Sequence, residues 1–131
     1  MFIEWNDNLK TGIPIIDEQH QELIVMLNRL GRFREGRNSF NKALTDLQDY
    51  INIHFKTEED YMISTKYLDY DKHKASHEQL ADELKKHLND IDKAENIYDL
   101  GLKLCVLVGN WIIDHYSDED VKLVNYIKSR H

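Results

Sequence analysis

Residues 54–77 read HFKTEEDYMISTKYLDYDKHKASH and hold two pairs of side chains that can bind a metal. The pairs are His54 with Glu58 and His73 with His77, each four residues apart. On an α-helix such residues differ by roughly 40° around the axis and about 6 Å along it, so each pair lies on one face. One pair alone is more often a solvated surface pair. Two pairs on an antiparallel helical hairpin predict half of a metal site.

Apolar residues that recur every three or four positions predict four helices along the chain. Capping residues place the start of the first helix at Asp17, of the second at Ser39, and of the third at Asp69 or Asp71. The second helix is predicted to end near residues 64–66. The fourth begins near residue 97 and continues toward the C-terminus.

The first 16 residues predict a non-helical arm, because Gly12 and Pro14, the only proline, interrupt helical periodicity. Four amphipathic helices with short connections imply an all-α, up-down-up-down four-helix bundle. We therefore expect a single domain over residues 1–131, with the N-terminal arm at 1–16 and the bundle at 17–131.

Side chains that can bind a metal lie at one end of this bundle on all four predicted helices, whereas the same stripes are Leu, Ile and Val at the other end. They are His20, His54, Glu58, His73, His77 and His115. Leaving a buried imidazole or carboxylate unsatisfied costs roughly 1–3 kcal/mol or more, and metal ligation would satisfy the whole group. Nitrogen-rich ligands favour iron, zinc or copper. Five histidines with two or three carboxylates fit two metals better than one.

The fourth helix adds Asp120, five residues after His115. On a regular α-helix these residues differ by about 140°, so they face one point only if the helix is locally widened. We predict a π-type turn between them. Asp118 and Glu119 are predicted to face water. The remaining histidines, His87 and His131, are not expected to be ligands.

The composition excludes several classes of protein. Net charge is −7, with 24 acidic residues interspersed among 17 basic ones, so nucleic acid and anionic membrane are poor partners. Cys105 is the only cysteine, which excludes an internal disulfide and a cysteine-ligated cluster, and we expect it to be buried and inert. No run approaches the roughly 20 apolar residues of a membrane span, and the start does not resemble a secretion signal. We expect a cytoplasmic protein.

The motif order of this chain resembles the ligand pattern of the hemerythrin family, particularly its stand-alone bacterial members. The motifs are His20, His54-x-x-x-Glu58, His73-x-x-x-His77 and His115-x-x-x-x-Asp120. The similarity covers essentially the whole chain, including the arm. It implies a non-haem di-iron centre, with an oxo or hydroxo bridge, that binds O₂ reversibly.

The resemblance also implies a role for each ligand. His73, His77 and His115 would hold one iron, His20 and His54 the other, with Glu58 and Asp120 bridging both. Counting the bridge, the first iron has six ligands and the second five, so O₂ is expected at the second. Apolar neighbours of the ligands are expected to line an O₂ pocket: Leu23, Ile24, Phe55, Trp111 and Ile112.

We therefore predict oxygen storage, transport or delivery by a monomer that is not an enzyme, with an unidentified protein as the recipient of O₂. Two alternatives stay open. One is a di-iron oxidase or peroxidase, although such sites in ferritin-like bundles are richer in carboxylates. The other is an iron or oxygen sensor that acts through a partner protein.

Overall fold

The computed structural model describes residues 4–32, 36–90, 93 and 96–129, and across these residues it is helical with no strand. The main helices are α1 (Pro14–Gly31), α2 (Arg37–Thr65), α3 (Tyr70–Asp90) and α4 (Ile97–His115). A π-helical turn at Tyr116–Asp120 joins α4 to α5 (Val121–Ser129), and a short 3₁₀ turn at Asp7–Leu9 lies in the arm. The prediction of an all-α four-helix bundle is confirmed.

The start of α1 differs from the prediction. The helix begins at Pro14, where the fixed φ of proline suits the first turn and its missing N–H loses nothing, so residues 14–16 are helical and not part of the arm. Asp17 is not the N-cap. Its carboxylate accepts hydrogen bonds from the Thr11 amide and hydroxyl, both at 2.7 Å, and from the Gly12 amide at 3.0 Å. Asp17 therefore fixes the arm against the helix.

The starts of the next two helices follow from local backbone geometry. Gly36, with φ of 105°, holds the N-cap position of α2, so the prediction of Ser39 was wrong. The helix ends as predicted, at Thr65, where Lys66 takes a left-handed conformation. α3 begins directly after Asp69, whose carbonyl accepts from the His73 amide at 2.9 Å. Of the two predicted caps, Asp69 is the one that precedes the helix.

Two apolar clusters lie on either side of the polar end of the bundle. The larger fills the remainder of the bundle and includes Leu27, Leu30, Phe40, Leu44, Leu47, Leu84, Leu104 and Val108. The smaller lies beyond the polar residues and contains Met62, Leu123 and Ile127, with Ile13, Tyr61, Tyr67 and Tyr70 packed against it. Buried polar side chains thus separate two apolar regions.

Gly101 permits a close approach of α4 to α1 within the larger cluster. A Cβ atom at this position would lie 2.6 Å from the Leu30 carbonyl oxygen and 3.0 Å from Phe40 Cε2. Because the first neighbour is backbone, no side-chain rotation would relieve the contact. Among the described residues, no helix is both long and apolar enough to cross a membrane.

Candidate metal centre

Five histidines and two carboxylates meet at one end of the bundle, where α1 and α3 begin and where α2 and α4 end. Every one of them is at most 4% exposed. Their candidate ligand atoms form two overlapping groups, each within 4.8 Å. One group comprises His73, His77, His115, Glu58 and Asp120, and the other comprises His20, His54, Glu58 and Asp120. The structure therefore brings all seven predicted residues together, with both carboxylates shared.

The atoms of the three-histidine group are spaced for a common ligand. The Nε2 atoms of His73 and His77 lie 3.1 and 3.2 Å from Nε2 of His115. Asp120 Oδ1 lies 2.9 Å from His115 Nε2, and Glu58 Oε1 lies 3.1 Å from His77 Nε2. An ion about 2.1 Å from two ligand atoms at a right angle separates those atoms by about 3.0 Å. The observed separations match that value.

The two-histidine group has the same spacing. The Nε2 atoms of His20 and His54 are 3.1 Å apart, Asp120 Oδ2 lies 3.1 Å from His20 Nε2, and Glu58 Oε1 lies 3.3 Å from His54 Nε2. Asp120 thus directs one oxygen to each group. A carboxylate in this position can bridge two metal ions.

The carboxylates also lack the partners that burial requires. Glu58 Oε2 and both oxygens of Asp120 have no aligned hydrogen-bond donor among the described residues. The imidazole nitrogens near Asp120 are close, but they are not directed along the line of a hydrogen bond. An unsatisfied buried polar atom costs roughly 1–3 kcal/mol, and more when it is charged. A cation would supply the missing partner, so these residues fit a metal site.

The clustered charges shift pKa values within the site. Burial would lower the pKa of His73 and of His115, but the adjacent Asp120 and Glu58 carboxylates outweigh it and raise the values to about 9 and about 12. Burial lowers the pKa of His20, and Asp120 offsets only part of that effect. Burial would raise the pKa of Glu58, but the neighbouring histidines hold it well below its usual range. A metal would therefore have to displace protons from His73 and His115, whose pKa values are raised.

The π-type turn predicted between His115 and Asp120 is confirmed at Tyr116–Asp120. A π-turn takes more residues per turn than an α-helix, so it brings a residue five positions along back to the same side. This widening is what allows Asp120 to reach His115. Asp118 is exposed as predicted and lies 3.1 Å from Lys122.

The prediction that Glu119 faces water was wrong. Its side chain is 22% exposed, and Oε2 lies 2.9 Å from Nδ1 of His115. The two groups form an ion pair but not a hydrogen bond, because the imidazole N–H is not aligned with Oε2. Ser76 Oγ lies 3.4 Å from the same nitrogen.

Two further imidazoles are held from behind by side chains that sequence reasoning missed. The Nδ1–H of His77 donates to Glu59 Oε2 at 3.0 Å, and the Nδ1–H of His54 donates to Gln19 Oε1 at 2.8 Å. Glu59 and Gln19 lie next to predicted ligands in the sequence. That proximity was the only available signal, since the contacts join different helices.

Tyr116 is a third missed residue. Its ring stacks on His20, with centroids 3.4 Å apart, and its buried hydroxyl has no partner among the described residues. Burial raises the pKa of this phenol well above its usual value, and the nearby Asp120 and Glu58 charges add to the effect. On a regular helix Tyr116 would lie about 100° from the ligand stripe, so periodicity did not indicate it.

Two of the predicted pocket residues contact ligands of this centre. Phe55 stacks on His77 with centroids 3.9 Å apart, and Trp111 stacks on His115 at 4.5 Å. Leu23, Ile24 and Ile112 are buried in the larger apolar cluster. His87 belongs to neither group of ligand atoms, Cys105 is buried, and His131 lies outside the described residues.

A helical bundle that gathers histidines and shared carboxylates in this way is a histidine-rich metal-binding protein. The hemerythrin HHE cation binding domain matches residues 11–127, and the chain therefore belongs to the hemerythrin family. The family prediction is confirmed.

Individual relatives agree with this placement. The chain is 29% identical over 126 residues to bacteriohemerythrin of Pseudomonas aeruginosa, covering 95% of this chain and 80% of that protein. It is 25% identical over 132 residues to bacteriohemerythrin of Clostridium acetobutylicum, covering 95% of this chain and all (100%) of that protein. A crystal structure of wild-type hemerythrin matches with a TM-score of 0.85 at 26% identity, covering 97% of this chain and 98% of that one.

Proposed function

We propose that the protein binds O₂ reversibly at a non-haem di-iron centre and serves oxygen storage, transport or delivery. The observation that carries this proposal is the sharing of Glu58 and Asp120 between two groups of histidines. We assign one iron to His73, His77 and His115, the other to His20 and His54, and the bridging role to the two carboxylates. Membership of the hemerythrin family supports iron as the metal.

The two positions are unequal in the number of ligands that the chain offers. One group contains five residues and the other four, because the second has one histidine fewer. The two-histidine position therefore retains room for an external ligand. Two ferrous ions held in this way would supply two electrons and an open coordination position for O₂.

The surrounding side chains favour binding over further chemistry. Ferritin-like di-iron sites that activate oxygen are rich in carboxylates, whereas five of the seven candidate ligands here are histidines. Phe55 stacks on His77, while Ile112 and Leu23 are buried one helical turn from His115 and His20 in the sequence, and all three would exclude water from the pocket. With Ile24 and Trp111, they form the proposed wall of the O₂ pocket. This wall would slow the loss of bound O₂ as a charged reduction product.

The test is an anaerobic loading with Fe(II), followed by metal analysis and exposure to O₂. We expect two irons per chain and a visible absorption that appears with O₂ and disappears when the gas is purged. Irreversible bleaching with consumption of an added reductant would instead indicate an oxidase or peroxidase. A di-iron protein whose visible spectrum does not change when O₂ is added would contradict the proposal.

Two histidines of α3 provide a matched pair of variants. His77→Ala removes a proposed ligand and should reduce the iron content below two per chain. His87→Ala removes a histidine outside both ligand groups and should leave the iron content unchanged. Equal iron content in the two variants would remove His77 from the centre.

A further inference from the structure

We infer that Glu59 and Gln19 are positioning residues that make the two iron positions electronically unequal. Glu59 places a negative charge behind a ligand of the three-histidine position, whereas Gln19 places a neutral amide behind a ligand of the two-histidine position. The inference rests on the proposed function and goes beyond it, because it assigns residues that are not themselves ligands.

The hydrogen bond to Glu59 fixes which nitrogen of the His77 imidazole carries the proton. A carboxylate can only accept, so the 3.0 Å hydrogen bond requires the proton of the imidazole to be on Nδ1. The lone pair of Nε2 is then free to face the centre. A carboxylate in this position makes the imidazole a stronger electron donor to a metal. Its charge also favours the more highly charged state of that metal.

The hydrogen bond between Gln19 and His54 likewise fixes the position of the imidazole proton, although Gln19 carries no charge. Thr57 Oγ1 donates to the Ile53 carbonyl at 3.1 Å, so it must accept from Gln19 Nε2 at 3.0 Å. That leaves Gln19 Oε1 to accept from the Nδ1–H of His54 at 2.8 Å. His54 therefore has the same orientation of its lone pair as His77, without a negative charge behind it.

Of the remaining histidines, His115 and His20 preserve the inequality, whereas His73, whose Nδ1 has no hydrogen-bond partner among the described residues, contributes to neither side. Glu119 adds a second carboxylate beside His115, in the three-histidine group. In the two-histidine group, Nδ1 of His20 has no hydrogen-bond partner among the described residues, and its ring stacks on the phenol of Tyr116. The carboxylates of Glu59 and Glu119 thus both lie behind ligands of the three-histidine position. The iron with the complete set of ligands is held more tightly, and the iron with the open position stays easier to reduce.

Two reciprocal substitutions of equal size test this inference. Glu59→Gln removes the charge at one position, and Gln19→Glu introduces one at the other. The Fe(II)-loaded chain would be titrated anaerobically with a chromophoric chelator, which measures the dissociation constant of each iron. Spectroelectrochemistry would give the reduction potential, and Mössbauer spectra would distinguish the two sites.

We expect Glu59→Gln to raise the dissociation constant of the iron at the three-histidine position by about 10–100-fold. The dissociation constant of the iron at the two-histidine position should not change. Gln19→Glu should tighten the iron at the two-histidine position and lower its reduction potential. Glu78→Gln is the matched control, because this substitution removes the same charge. Glu78 is exposed and lies in the same surface cleft as Glu59. It should change neither constant.

Three results would overturn the inference. They are equal weakening of both irons by Glu59→Gln, an effect of Glu78→Gln as large as that of Glu59→Gln, and unchanged potentials in both reciprocal variants. A wild-type chain that holds fewer than two irons would overturn the proposed function itself, and the metal analysis identifies that case before any variant is compared.

Discussion

The two ends of the bundle are formed by the same helices, but they bury opposite kinds of side chain. The apolar end packs Leu30, Phe40 and Leu104 around Gly101, and each large apolar side chain buried there contributes roughly 1.5–3 kcal/mol. The other end buries seven groups that would be better solvated in water. The difference indicates that the apolar end supplies stability and that the polar end depends on an ion. Four predictions test this division.

The largest effect is expected from Phe40→Ala. Phe40 is 0% exposed in the apolar end, and replacing it leaves a cavity that should lower the free energy of unfolding by about 3–5 kcal/mol. Urea denaturation of the metal-free protein measures this change. Iron content per folded chain should stay the same, and its loss would show that the two ends are not independent.

Gly101→Ala should lower the free energy of unfolding by about 1–3 kcal/mol, because the added methyl group meets the Leu30 backbone. An alanine without this contact would stabilise a helix by roughly 0.5–1 kcal/mol. The sign of the change in thermal denaturation therefore decides whether the close approach of α1 and α4 matters. A more stable variant would contradict it.

Acid should weaken iron binding at the polar end. In the metal-free protein carboxylates raise the pKa values of His73 and His115 to about 9 and about 12, so iron must displace a proton from each of them below about pH 8. Each displaced proton weakens the apparent affinity about tenfold, or about 1.4 kcal/mol, per unit fall in pH. Titrations between pH 6 and about 8 should show this slope. A flat profile would contradict proton competition.

The smallest effect is expected from Tyr116→Phe, which removes a buried hydroxyl without a partner among the described residues. The metal-free protein should gain about 1 kcal/mol in stability. Tyr126→Phe is the opposite control, because its hydroxyl donates to the carbonyls of Thr65 and Lys66. That variant should lose about 1 kcal/mol. The same sign in both variants would mean that the Tyr116 hydroxyl has a partner.

The sequence predicted the helical stripes, the end of the bundle at which the polar residues meet, and the π-turn. The stripes and the π-turn follow from spacing along a single helix. The prediction of the π-turn succeeded because His115 and Asp120 cannot face one point on a regular helix. The seven residues met as predicted because helix order alone places the ends of neighbouring helices together.

The missed features depend on contacts that spacing does not encode. Asp17 serves the arm and not its own helix, because Thr11 and Gly12 fold back onto it. Glu59 and Gln19 each have a partner on another helix, so their roles depend on the relative rotation of the helices. Helix starts were misplaced where glycine or proline geometry took precedence over a polar cap.

The smaller apolar cluster, formed by Met62, Leu123 and Ile127, closes the bundle beyond the ligands, and the larger cluster closes it from within. Along the axis of the bundle, the centre is therefore a polar layer between two apolar clusters. A small neutral molecule such as O₂ crosses hydrocarbon side chains readily, whereas an anion would lose its hydration on the same path. Under the proposed function, the packing itself acts as a permeability barrier that admits the gas and retains its charged reduction products.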